Sequence, residues 1–318
     1  MTPRDNFINF FTNKEYEWIP TTADEKYFYP ELIPENIARG FVIQQKPFPR
    51  EKFGGNDWFG IHWTFYPEAA GMGGSMEDYN LFDDANDWKE YVKFPDLSKL
   101  DWAGCAEENK EYLKTDKILS SVIFTGFFER LISFMGFEDA AAAMVDEDQQ
   151  DSVKELFDHL ADFYVELMGY MKDYFNVELI DFHDDWGSQR APIFSPATHT
   201  EMILPYMQKV TSGAREKGVL VMMHSCGFIE PLIPNLIKTG VITWRGQELN
   251  DKKKLVEQYG DQFTFDIFVP FEPGTSFEEI YERTKQLKET YKDKKVKFSF
   301  PRFFTQEQIE KLAAVIQE

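Results

Sequence analysis

Two side chains able to share a metal ion stand two positions apart at His224 and Cys226, in the segment His224-Ser225-Cys226-Gly227. The apolar run 219–223 leads directly into them and reads as a buried strand. Residues i and i+2 of an extended chain point the same way, so imidazole and thiolate can converge, while Gly227 lets the backbone turn away. A borderline nitrogen and a soft sulfur favour Zn²⁺. Alone they make only half of a zinc site, and a strand-end histidine beside a buried cysteine also reads as core packing.

Such residues need a frame. From about residue 115 onward, short apolar or β-branched runs alternate with amphipathic stretches, the pattern of βα units around a parallel sheet. The spacing predicts strands at 118–124, 177–182, 219–223, 241–244, 263–269 and 296–300. Helices are expected at 128–175, where Leu156, Leu160, Phe163 and Leu167 recur at helical intervals, and at 198–217, 229–238, 276–291 and 305–316. Sheets of this kind bind ligands at the carboxyl ends of their strands, whether open or closed. The polar residues at those ends are therefore the site candidates. Residues 1–115 are rich in Pro, Gly and aromatic residues and read as a segment that wraps the remainder, giving one domain over 1–318.

Composition narrows the function classes. The 318 residues are 43% hydrophobic and 16% aromatic, enough for a large core. Thirty-four basic against fifty-five acidic side chains give a net charge of −21, which disfavours a nucleic-acid partner. Cys105 and Cys226 are too few and too far apart for a disulfide framework. Cys105 reads as structural or incidental. Without a signal-like start or a long apolar span, a soluble, cytoplasmic protein is expected, with no membrane partner. No glycine fingerprint for a nucleotide is present.

Four segments resemble the uroporphyrinogen decarboxylase superfamily, and within it the cobalamin-linked methyltransferase branch. They are the opening 1–7, the element Asp57-Trp58-Phe59-Gly60-Ile61-His62-Trp63, the stretch from Asp184 to Gln189 followed by 193–196, and His224-Ser225-Cys226-Gly227. The resemblance implies an α/β fold, a (β/α)8 TIM barrel with an N-terminal extension packed on it. It implies an enzyme of one-carbon metabolism that moves a methyl group between a small methylated compound and a corrinoid (cobalamin) protein or thiol acceptor. Zinc would be held by His224, Cys226 and a later cysteine. That cysteine would fall near 298–302, and none stands there. Glu248, after the next strand, is the nearest carboxylate by topology and is taken as third ligand and catalytic group; His183, Asp184 and Asp185 end the preceding strand.

Of the two adjacent aspartates only one can face a pocket, because neighbours on an extended strand point apart, and Asp184 is the choice as catalytic residue. His62, Gln189 and Arg302 are expected to bind substrate, although His62 also reads as a member of an aromatic cluster and Arg302 as half of a surface ion pair. His199 reads as solvated or capping, and Met222 and Met223 as core. A tetrapyrrole decarboxylase is the alternative, but Arg4, Arg39 and Arg50 are scattered among acids rather than grouped. A non-catalytic barrel that binds a small molecule or corrinoid is the third reading.

Overall fold

A computed structural model describes residues 1–66, 73–75, 80–301 and 304–318. Ten strands are found among them: β1 (Glu25–Tyr27), β2 (Gly55–Asn56), β3 (His62–Phe65), β4 (Gly73–Ser75), β5 (Ile118–Ile123), β6 (Leu179–His183), β7 (Leu220–Ser225), β8 (Thr243–Gly246), β9 (Thr264–Phe268) and β10 (Val296–Ser299). Seven of them form one parallel sheet in the order β1-β5-β6-β7-β8-β9-β10. The sheet curls until its edges approach. Thr21, ahead of β1, makes a parallel bridge to Phe298 of β10, and the Lys297 ammonium lies 2.8 Å from Glu25 Oε1. The parallel α/β expectation therefore holds, with seven strands rather than eight among the described residues.

Helices cover the outside. The longest, Gln150–Phe175, buries a stripe that includes Val153, Leu156, Leu160, Tyr164 and Leu167, and it stops where Asn176 takes a left-handed conformation at φ 58°. The helical region expected at 128–175 is broken into Phe127–Met135, Phe137–Ala143 and Gln150–Phe175. Gly136, at φ 78°, separates the first two. The helix expected at 198–217 likewise divides into Pro196–Met202 and Leu204–Glu216, because Pro205 cannot continue the hydrogen-bond ladder of the turn before it. No helix of the described residues is long and apolar enough to cross a membrane.

The N-terminal segment does more than wrap. It supplies β1 to the parallel sheet and builds a small antiparallel sheet from β2, β3 and β4. A buried cluster ties it down: Arg130, on the helix after β5, bonds Glu35 at 2.7 Å and also Asp57. Asp57 in turn accepts from Trp63 Nε1 at 3.0 Å and from the backbone N–H groups of Phe59 and Ile61.

Candidate active site

The carboxyl ends of β6, β7 and β8 come together by register. His183 lies beside His224, and His224 beside Arg245. Beyond the strands the chain turns tightly, and here glycine is required. A Cβ on Gly227, at φ 76°, would meet the Gly187 carbonyl oxygen at 2.1 Å. The loops after β6 and β7 can cross this closely only because both positions lack side chains.

That crossing brings Asp185 onto the His-x-Cys turn. Cys226 N–H donates to Asp185 Oδ1 at 2.6 Å, and the thiol lies 3.2 Å from His224 Nε2. One ligand atom each from Asp185, His224 and Cys226 falls within 4.8 Å of the others. A tetrahedral zinc about 2.0–2.3 Å from each donor sets the donors roughly 3–4 Å apart; His224 Nε2 and Cys226 Sγ already stand at 3.2 Å, and a ligand oxygen of Asp185 lies within 4.8 Å of a donor atom of each.

Burial sets the protonation of this group. It lowers the His224 pKa to about 4, with His183 adding to the effect, so the ring is neutral and offers a nitrogen lone pair. Burial, then the Asp185 charge, pushes the Cys226 thiol up to about 12. In the metal-free protein the thiol keeps its proton beside the His224 ring and the Asp185 carboxylate. A cation would displace that proton.

The three donors line a cavity of about 430 Å³ together with Arg39, Glu129, His183, Arg245 and Gln247, and with an apolar wall that includes Tyr27, Phe268, Phe300 and Pro301. Beneath it the inner face of the sheet carries linked charges. Arg245 reaches Asp181 at 3.2 Å and Asp266 at 3.4 Å, and Lys297 bonds Asp266 at 3.0 Å. Burial raises the Asp181 pKa, but His183 and Arg245 outweigh it and hold the group well below the ordinary carboxylate range. Glu129 differs. Burial, with Asp185 next, raises its pKa well above the usual value, and its Oε2 has no hydrogen-bond partner among the described residues. Its carboxyl lines the cavity with its proton affinity raised.

Several expectations are relocated. Asp184 does not face the cavity. Its carboxylate caps the helix Phe127–Met135, accepting from Phe128 N and Glu129 N at 3.2 and 2.9 Å and from Trp186 Nε1 at 2.8 Å. Asp185 takes the outward position instead. Glu248 is exposed on the loop after β8, outside the donor group, because Gln247 and Asn250 are the loop residues that turn inward to bond Gly227 N, Gly227 O and Ile229 N. His62 is exposed on β3 and pairs with Asn56, and Gln189 is exposed beyond the Gly187 turn; neither lines the cavity. Arg302 lies outside the described residues. His199 is fully buried rather than solvated, its ring 4.5 Å from that of Trp186, and burial lowers its pKa to about 4. Met222 and Met223 are core.

Arg39, Glu129 and Arg245 were not singled out for the site by sequence. Glu129 had one usable signal, an acid in the first turn of the helix that follows a buried strand.

No family model matches the chain, and no curated protein does. Solved structures do. A methyltransferase from Methanosarcina mazei superposes with a TM-score of 0.68, covering 99% of this chain and 98% of that one at 13% identity. The two chains share a fold from end to end. An Old Yellow Enzyme from Pichia overlays 67% of this chain and 66% of its own at a TM-score of 0.41 and 11% identity. Xylanase B from Clostridium stercorarium overlays 65% of this chain and 73% of its own at 0.39 and 11% identity.

Proposed function

We propose that this protein is a zinc-dependent methyltransferase with a TIM-like barrel, moving a methyl group between a small methylated compound and a corrinoid protein or thiol acceptor in the cytoplasm. The observation that carries the reading is the convergence of Asp185, His224 and Cys226 on one point of a cavity at the carboxyl ends of parallel strands. The shared fold with a methyltransferase supports it.

His224, Cys226 and Asp185 would hold the ion. When bound, zinc supplies Lewis acidity, lowering the pKa of a coordinated thiol or polarising the oxygen of a methyl donor. The chain's own residues do the remainder. His224 offers its neutral nitrogen, and Gln247 and Asn250 fix the Gly227 turn that aims the thiol. Glu129, whose pKa burial raises, lines the cavity and would serve as the proton donor to an oxygen that loses a methyl group. The apolar wall excludes water from the transfer. A corrinoid partner would approach the same open face.

Tetrapyrrole decarboxylation is less well supported. Among the described residues the cationic lining is Arg39 and Arg245, and the second is neutralised by Asp181 and Asp266.

The test is methyl transfer to cob(I)alamin or to a thiol by zinc-loaded protein, across a panel of O-, N- and S-methylated small molecules. Formation of methylcobalamin or a thioether with one donor class, lost in Cys226→Ser, supports the reading. No transfer from any donor to either acceptor overturns it.

A further inference from the structure

The cavity contains a cation that no carboxylate among the described residues contacts directly, Glu35 and Glu129 acting on it only at longer range. Arg39 is 9% exposed, yet no carboxylate lies within 4.0 Å of its guanidinium among the described residues, and its Nε has no hydrogen-bond partner. One face of the group is covered by the Trp63 ring, whose centroid is 4.3 Å away. Other buried cations nearby are treated differently. Arg130 is bonded to Glu35 and Asp57, Arg245 to Asp181 and Asp266, and Lys297 to Glu25 and Asp266.

A guanidinium stays charged at any working pH, and burying it without a partner is costly. In a chain with a net charge of −21 the missing partner does not reflect a shortage of acids. Aromatic stacking on Trp63 holds the group in place but leaves Nε without an acceptor, and the planar N–H fork of a guanidinium matches a carboxylate in bidentate fashion. The aromatic rings of Tyr27, Phe268 and Phe300 line the same cavity.

We propose that the methylated substrate is a carboxylic acid with a flat apolar body, its carboxylate on Arg39 and its ring against Phe268 and Phe300. The methyl group rests on the methyl-transfer reading, and the carboxylate rests on Arg39. Arg39 is thus a specificity-determining residue for the same cavity that holds Asp185, His224 and Cys226.

Calorimetric titration with benzoate, anisole and glycine betaine tests this without any methyl transfer. Benzoate should bind about tenfold or more tighter than anisole, the gain expected of one charge-assisted pair. Betaine, which has the carboxylate but no flat body, should bind more weakly than benzoate. Arg39→Met should abolish the preference for benzoate over anisole, and Arg39→Lys should keep part of it, with thermal melts confirming that each variant is folded. Equal binding of anisole and benzoate by the unaltered protein, or no benzoate binding, overturns the proposal even if both variants fail to fold. Betaine binding as tight as benzoate overturns the flat body. Benzoate binding that depends on Arg39 in a protein that transfers no methyl group would overturn the methyltransferase reading and leave the carboxylate site standing.

Discussion

Two buried polar clusters in this molecule use the same kinds of atoms for opposite ends. In the first, Glu35, Asp57 and Arg130 pair their charges: Asp57 accepts from Arg130, Trp63, Phe59 and Ile61, and Glu35 accepts from Arg130 and Thr125, while Arg130 Nε has no partner among the described residues. In the second, His224 Nε2 and Cys226 Sγ have each other, and Asp185 has one backbone N–H. The first cluster pairs a cation with two carboxylates and serves as a clamp between the N-terminal segment and the helix after β5. The second lines a cavity with donors still available. Charge pairing away from a cavity marks structure here, and donors facing a cavity without a paired cation mark the site.

The contrast can be broken by experiment. Arg130→Met leaves two buried carboxylates without their cation and should destabilise the protein by about 3–5 kcal/mol, measured by chemical denaturation. A loss below about 1 kcal/mol would show that the cluster is not a clamp. The donor group should behave in the reverse way, contributing stability only when filled. Zinc at about a hundred times its dissociation constant should stabilise the unaltered protein by about 2.7 kcal/mol and leave Cys226→Ser unchanged. Equal stabilisation of both would place the ion elsewhere.

His199 sharpens the comparison, since both its ring nitrogens lack a partner among the described residues and yet it packs on Trp186 away from the donors. Its folded pKa of about 4 lies below the ordinary 6.5, so the unfolded chain takes up the proton first. Its contribution to stability is complete above pH 6.5 and declines as pH falls from there toward 4, by at most about 1.4 kcal/mol per pH unit. Denaturation curves of His199→Gln against the parent should diverge in that window. Parallel pH profiles would mean that the ring titrates alike in both states.

What sequence could reach here was local. The i, i+2 geometry of His224 and Cys226 follows from strand period, and the parallel sheet follows from alternating runs. The choice between Asp184 and Asp185 failed on parity: Asp181, His183 and Asp185 face inward alternately, and the strand period alone does not say which of two neighbours belongs to the inward set. Asp184 is claimed by the amide groups of Phe128 and Glu129, more than fifty positions earlier in the chain. Glu248 was judged by its distance from a strand end, but Gln247 fills the inward position beside it. β1 is three residues long inside an aromatic-rich segment and has no period to read. Arg39 enters the cavity from that same segment, which only tertiary packing places at the carboxyl ends of the strands.

Zinc analysis of protein purified without added metal, set beside Cys226→Ser, Asp185→Asn and Glu248→Gln, bears most directly on the donor group. The unaltered chain and Glu248→Gln should each carry about one zinc, Cys226→Ser none, and Asp185→Asn a reduced amount after dialysis. Zinc retained by Cys226→Ser, or lost from Glu248→Gln while Asp185→Asn keeps it, would contradict the assignment of Asp185, His224 and Cys226 as the metal site.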